Sequence, residues 1–367
     1  MPVFNHYSGT LPPDWPGGYW LHWGVFVLII LVFVLAMAMG FIYLERRGIG
    51  RFQVRLGPNR VGPFGLLQPV ADAIKVLIKE DIIPAEGDKW VHWLAPVVAF
   101  APALMIFAVI PFQNGALLAD LNVGILYVVA ISSVSMVGVF MAGWGSGNKY
   151  SLLGAMRTVA QVVSYEVPMG LAIIGVVIIA GSLSMNQIVE EQTIPFILLQ
   201  PLGFLIFFLA ALAEINRTPF DLLEAESEIV AGFHTEYSGM KFAMFYLTEY
   251  AEALAISAII ATLFLGGWRG PLLPPFLWFL IKVFAIFFLI FWVRSTIPRL
   301  RIDQVMGFAW KCLLPLAVIN LFITGIQVVV WPEILPWVAI FLNLAIMAVL
   351  IVLWSKFFRL GGGRVEV

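Results

Sequence analysis

Four carboxylates fall where a lipid-embedded chain has least reason to keep them. Glu166, Glu214, Glu249 and Glu252 all interrupt or end long apolar runs. A charged side chain at membrane depth costs of order 3 kcal/mol or more, so each should face the interior of a helix bundle, paired, protonated or wet. Glu166 lies beside Pro168, which interrupts helical hydrogen bonding. Glu249 and Glu252 are one turn apart and share a helix face. A packing-only reading has protonated Glu side chains joining helices by hydrogen bonds. The chemical reading is a hydrated proton path. Lys282 could serve it as a counter-ion or could snorkel to the interface.

A second group of acids follows directly. The segment 214–242 contains Glu214, Asp221, Glu224, Glu226, Glu228 and Glu236, with only Arg217 and Lys241 against them. Most charge runs are solvated loops. Here Phe220, Leu222, Leu223, Ile229, Val230 and Phe233 are interleaved with the acids, so part of the segment should be buried. Crowded, buried carboxylates repel one another, and some then hold protons near neutral pH.

The elements that position these residues follow from composition. Apolar residues make up 61% of the 367-residue chain and charged residues 12%. Mean hydropathy is +0.97. Soluble domains run at roughly 45–50% apolar and about 25% charged. A soluble globule, a disordered chain and a coiled coil are thereby excluded. So is an outer-membrane barrel, whose strands alternate polar and apolar residues. What remains is an all-α polytopic membrane protein, one integral domain over 1–367. A span needs about 20 apolar residues. Nine candidates emerge, at 22–44, 93–112, 123–143, 159–181, 196–214, 243–265, 276–294, 311–331 and 337–355. The last is an extra C-terminal span set off by a tight turn between Trp331 and Pro336.

Charge orients the bundle. Of the 21 Lys and Arg, all but Arg269 and Lys282 fall in alternate loops or the C-terminal tail. The positive-inside rule then places the N-terminus outside and the C-terminus inside, which requires an odd number of spans. The acidic segment and the long stretch 46–90 become cytoplasmic. Within 46–90, Leu66, Val70, Ile74, Leu77, Ile78 and Ile82 recur at helical spacing, with Gln68, Asp72, Lys75 and Lys79 opposite. That pattern predicts an amphipathic helix lying along the membrane surface. It is either packed on the bundle or one wall of a lateral opening for a lipophilic substrate. Residues 1–21 lack basic residues and a small-residue cleavage site, so they do not read as a cleaved signal peptide.

Other chemistry is poorly served. Cys312 is the single cysteine, so no intrachain disulfide and no cysteine-held iron–sulfur cluster can form. His6, His22, His92 and His234 are scattered at span ends and in loops, and no metal site is expected. No Walker, GxSxG or HExxH sequence occurs. A net charge of −1 gives no sign of nucleic acid. Gly138, Gly143, Gly170 and Gly175 suit close helix packing, and Trp23, Trp93, Trp144, Trp331 and Trp337 suit interfacial anchoring.

Three longer blocks carry a resemblance. The first is Glu45-Arg46-Arg47, then Gln53 to Gly62 (QVRLGPNRVG), Gly65 to Pro69 and Ala71 to Lys75. The second is Ala213-Glu214, Asn216 to Asp221, Glu224 to Glu228 and Gly232 to Tyr237. The third is Gly143-Trp144, Asn148 to Gly154 and Arg157. Together they resemble the NADH dehydrogenase subunit 1 family of respiratory complex I, whose bacterial members are the H-type membrane subunits of proton-pumping NADH–quinone oxidoreductases. The resemblance covers nearly the whole chain.

The resemblance implies a position where the peripheral, electron-carrying arm meets the membrane arm, in a bacterial inner membrane. It implies that Glu45, Arg46, Arg47, Arg55, Arg60 and Phe233 line a quinone chamber or touch that arm. Glu166, Glu214 and Glu249 match the family's membrane carboxylates; Arg217, Asp221, Glu224, Glu226 and Glu228 fall in its acidic coupling loop. Quinone is then the substrate. FMN and iron–sulfur clusters belong to partner subunits, and this chain binds no redox cofactor alone. Partners are the peripheral-arm and antiporter-like membrane subunits, together with lipid. The chain departs from the pattern at Glu252, at Leu223 where Pro is common, and at Ser132 and Ser133, where some members carry a further Glu. Any proton step there would need water or hydroxyls. The alternatives are the membrane subunit of a related hydrogenase or ferredoxin-linked complex, against which the GPNRVGPFGLLQP stretch argues, and a stand-alone ion-coupled transporter.

Overall fold

The computed structural model describes residues 18–114, 117–223, 229–330 and 336–357. These form thirteen helices, with no strand among the described residues: α1 Gly18–Phe52, α2 Gln68–Ile78, α3 Lys89–Met105, α4 Gly124–Gly145, α5 Lys149–Ala180, α6 Met185–Glu191, α7 Phe196–Leu199, α8 Pro201–Glu214, α9 Gly239–Phe264, α10 Pro275–Thr296, α11 Ile302–Phe308, α12 Leu314–Val330 and α13 Pro336–Phe357. Among the described residues, eight helical stretches are long and apolar enough to cross a membrane. The chain is a multi-pass membrane protein.

Local chemistry sets the ends. The Asp88 carboxylate accepts from Trp90 N at 3.0 Å and starts α3. The Asn148 side chain accepts from Tyr150 N at 2.9 Å and starts α5. Gly181, at φ 66°, closes α5 in the left-handed conformation that glycine adopts without strain. The helix runs unbroken in assignment through Pro168. Two expected spans start or end elsewhere. The first continues to Phe52, so Glu45, Arg46 and Arg47 ride on its last turns. The fourth begins at Lys149, ten residues before its apolar run. The amphipathic segment is helical over 68–78 only, because Lys79 turns extended.

The fifth expected span, 196–214, is corrected. It is not one membrane-crossing helix but the short α7 and the 14-residue α8. Gln200 breaks them apart at φ −131°, ψ 62°, and Pro201 begins the second. A break at membrane depth frees backbone groups that lipid cannot satisfy. Neighbouring helices satisfy them here. Asn343 Nδ2 on α13 donates to Leu199 O at 2.6 Å, and Gln327 Nε2 on α12 donates to Asn343 Oδ1 at 2.6 Å. Gln200 Nε2 donates to Thr324 Oγ1 on α12 at 2.8 Å.

α9 is the hub: 83% of its most apolar window is buried, against 6% for the peripheral α13. It contacts α1, α2, α3 and α10, while α5 lies between α4, α8 and α12. Small residues allow the closest approach. A Cβ on Gly138 would stand 2.4 Å from Ala99 N, so α4 meets the backbone of α3 there.

Candidate functional site

The loop between α8 and α9 is fixed from several sides. Gln161 Nε2 of α5 donates to both Ala213 O and Phe220 O at 2.8 Å, tying the end of α8 to the start of the loop. Ser151 Oγ donates to Phe233 O at 2.8 Å, and Asn148 Nδ2 to Glu236 Oε1 at 2.8 Å. The Tyr237 ring stacks on His92 of α3 with centroids 4.0 Å apart. Phe233 and Tyr237 both meet Phe245 edge-on at 4.9 Å. Lys241 reaches Asp81 at 2.9 Å, closing the loop onto the segment after α2.

That loop delivers Arg217 into a buried ion cluster. Its Nη1 donates to Glu45 Oε1 of α1 at 3.3 Å. Its Nη2 lies 3.7 Å from Glu249 Oε2 of α9, an ion pair too long for a hydrogen bond. Its guanidinium sits 4.5 Å above the Tyr250 ring. Arg294 of α10 donates to the same oxygen of Glu45. Burial works against the charge on Arg217, but Glu45, Tyr250 and Glu249 outweigh it and raise its pKa well above the ordinary arginine range. Two cations thus face two carboxylates, and four separate elements are locked by charge.

The remaining membrane carboxylates gather against α4. Ser133 Oγ donates to Glu166 Oε1. Ser132 and Ser135 line one cavity together with Glu214 and Glu252. Two cavities meet at this point. One is bordered by Phe233, Phe245, Thr248 and Glu249; the other is apolar, bordered by Ile106, Met169, Phe207 and Ile259. Ser132, Glu214 and Glu252 line both. Thr248 and Asn216 add polar lining to the first cavity alone. Carboxylates and hydroxyls, groups that can both give and accept protons, thus line both cavities.

The arginines near the end of α1 divide. Arg46 pairs with Asp72 of α2 at 2.5 Å, and Gln68 donates to the same carboxylate at 3.1 Å. Burial favours the neutral form of Asp72, but these hydrogen bonds prevail and hold its pKa below the usual range. Arg47 donates to Tyr43 Oη at 2.5 Å and to Phe64 O at 2.9 Å, anchoring the turn before α2. Arg55 and Arg60 are exposed, and Arg55 Nε donates to the neighbouring Gln53 Oε1 at 2.7 Å. His234 is enclosed by Phe233 and Phe242. Burial pushes its pKa down to about 4, with Asp221 pulling the other way. Glu224, Glu226 and Glu228 lie outside the described residues. Among the described residues no three His, Cys, Asp or Glu side chains are gathered to hold a metal ion.

A statistical model of the family described as NADH dehydrogenase matches residues 25–325. The chain belongs to the NADH dehydrogenase family. A relative from Dehalococcoides mccartyi, named as the H subunit of NADH-quinone oxidoreductase, is 65% identical over 349 residues, covering 95% of this chain and 99% of its own length. Relatives of the same designation from Geobacter sulfurreducens and Brevibacillus brevis are 50% and 48% identical, covering 82% and 86% of this chain and 95% of their own length in both cases.

For this NADH dehydrogenase family chain, the sequence reading put Glu45, Arg217 and Glu249 into three different groups. The fold brings them into one cluster. Arg294, Gln161, Tyr250 and Ser135 escaped it. Arg294 counted only as one more cytoplasmic cation. Gln161 and Ser135 looked like ordinary polar residues in apolar helices, although a polar residue inside a span is itself a signal.

Proposed function

We propose that this chain is the membrane subunit of an NADH-quinone oxidoreductase that forms part of the quinone chamber and couples quinone reduction to proton translocation. The observation that carries the reading is the continuity of the Glu45–Arg217–Glu249 cluster with the cavities lined by Glu214 and Glu252. Quinone is the substrate. Electrons arrive from partner subunits of the peripheral arm, which carry FMN and iron–sulfur clusters, and antiporter-like membrane subunits lie on the other side. The chain acts in a bacterial inner membrane, with its N-terminus outside and the acidic loop 214–242 on the cytoplasmic side, as the basic residues favour. The long matches to relatives named for NADH-quinone oxidoreductase favour this reading over a hydrogenase, a ferredoxin-linked complex or a stand-alone transporter.

Reduction of a quinone to a quinol takes two electrons and two protons. In this reading the negative charge that appears during reduction acts first on the cluster, where Glu45, Arg46, Arg47 and Phe233 stand nearest the chamber. Arg55 and Arg60, exposed beyond α1, face the peripheral arm. The cluster then biases the acidic loop through Arg217, Asp221, Glu224, Glu226 and Glu228. Proton affinity shifts at Glu214, then at Glu166, Glu249 and Glu252. The test is Glu214→Gln in the assembled enzyme. Quinone reductase activity should fall while electron transfer to artificial acceptors is kept. Unchanged quinone activity would sink the reading.

A further inference from the structure

We propose that Ser132, Ser133 and Ser135 of α4 are hydroxyl rotors that position the protons of Glu214, Glu166 and Glu252. The inference rests on the proton path proposed above and assigns residues to it that the path itself does not require. Of three serines within four positions, Ser133 donates to Glu166, and Ser132 and Ser135 line the cavity that Glu214 and Glu252 also line. Each also has a backbone partner. Ser132 Oγ and Ser133 Oγ both donate to Val129 O at 3.0 Å, and Ser135 Oγ donates to Ser132 O at 2.9 Å.

A hydroxyl has one proton to give and two lone pairs to receive with. When the carboxylate is ionised, the hydroxyl turns and donates to it. When the carboxylate is protonated, the hydroxyl donates to the backbone carbonyl one turn back and accepts from the acid. Both states of the carboxylate are therefore hydrogen-bonded, and the change of state strands no buried group. An alanine would strand one. A carboxylate in place of the serine would add a further negative charge to an already crowded site.

Among the described residues, the charged and titratable groups that face these hydroxyls or line their cavities are few. They are Glu166 from α5, Glu214 from α8, and Glu249 and Glu252 from α9; α3 contributes only Ala99 and the residue after its end only Ile106 to the cavity walls. Ser132, together with Glu214 and Glu252, lines both cavities.

The test uses the assembled enzyme in native membranes, with single Ser132→Ala, Ser133→Ala and Ser135→Ala variants and the matching Ser→Thr variants. The alanine variants should assemble, yet lose quinone reductase activity about tenfold, the factor that one stranded acceptor carries. Their pH profiles should move, and infrared difference spectra should show an altered protonated-carboxyl band. Threonine keeps the hydroxyl and should restore all three readouts. If the alanine variants keep the native rate and pH profile while Glu214→Gln has lost activity, the rotor role is overturned and the proton path stands. If Glu214→Gln is itself silent, the proton path falls and the rotors with it.

Discussion

Arg217 Nη1 lies 3.3 Å from Glu45 Oε1, and both side chains are withdrawn from solvent. Removing one partner of a buried pair leaves the other charge uncompensated, at a cost of roughly 3–5 kcal/mol. Arg217→Met should therefore lower the thermal stability of the purified enzyme more than Glu45→Gln does, since it removes the Arg217 charge from both Glu45 and Glu249. Arg217→Lys should rescue poorly, because a point charge cannot reach Glu45, Glu249 and the Tyr250 face together. Scanning calorimetry with parallel quinone reductase assays would rank the three; equal stability for Arg217→Met and the parent would contradict the cluster.

His234 supplies a pH dependence with a definite sign. Its folded pKa is about 4, against 6.5 when unconstrained. The unfolded loop thus binds more protons than the folded one between those values. The stability it contributes is full above about pH 6.5, declines as pH falls through that window, and levels off below about pH 4. The hydrogen-exchange protection factors of residues 229–238, corrected for the intrinsic rate at each pH, should fall on acidification over that range. His234→Gln should flatten the response; an unchanged acid profile in that variant would count against the enclosure of the ring.

Asp72 also loses its contribution on acidification, though here the protonated form is the neutral one. Its carboxyl is held below the usual range, so its contribution is present above the ordinary aspartate pKa and is lost as pH falls through the lowered value. Arg46 is more than a third exposed, so the pair contributes about 1 kcal/mol or less. Asp72→Asn should loosen α2 without unfolding the bundle. Limited proteolysis within 66–82 would report it, and an unaltered cleavage rate would mean that apolar contacts alone hold the helix.

Gly154 tests the seating of the loop. A Cβ there would come within 2.8 Å of Gly232 Cα, beside the Ser151 bond to Phe233 O. Gly154→Ala should lift the loop, lower quinone reductase activity several-fold and leave the amount of assembled enzyme nearly unchanged. Gly170→Ala, with open space around its Cβ position, is the neutral control.

How much of this could be read from residues alone depended on the range of the interaction. Apolar runs long enough to span a membrane declare themselves locally, so eight of the nine expected spans return as long helices. The fifth, at 196–214, failed because hydropathy sums over a window and does not weigh Pro195, Gln200 and Pro201 as breakers. Glu166, Glu214, Glu249 and Glu252 were legible because charge in lipid always needs a reason. Their grouping was not. Glu249 and Glu252 share a face, yet Glu249 pairs with Arg217 while Glu252 lines both cavities. Such assignments depend on partners many helical turns away along the chain, and no spacing rule reaches that far.

The break at Gln200 also bears on how the protein is made. A helix of 14 residues rises about 21 Å, short of the roughly 30 Å thickness of a bilayer's hydrocarbon core. α8 is too short to settle in a bilayer as an independent segment. Its exposed carbonyl at Leu199 is met by Asn343, and the neighbouring Gln200 side chain by Thr324, both far later in the chain. During synthesis the fifth segment is therefore a client of helices that have not yet emerged from the ribosome. Its final seating waits for the C-terminal pair, so a chain truncated before α12 should leave the insertion machinery with an unfinished half and be a substrate for membrane quality-control proteases.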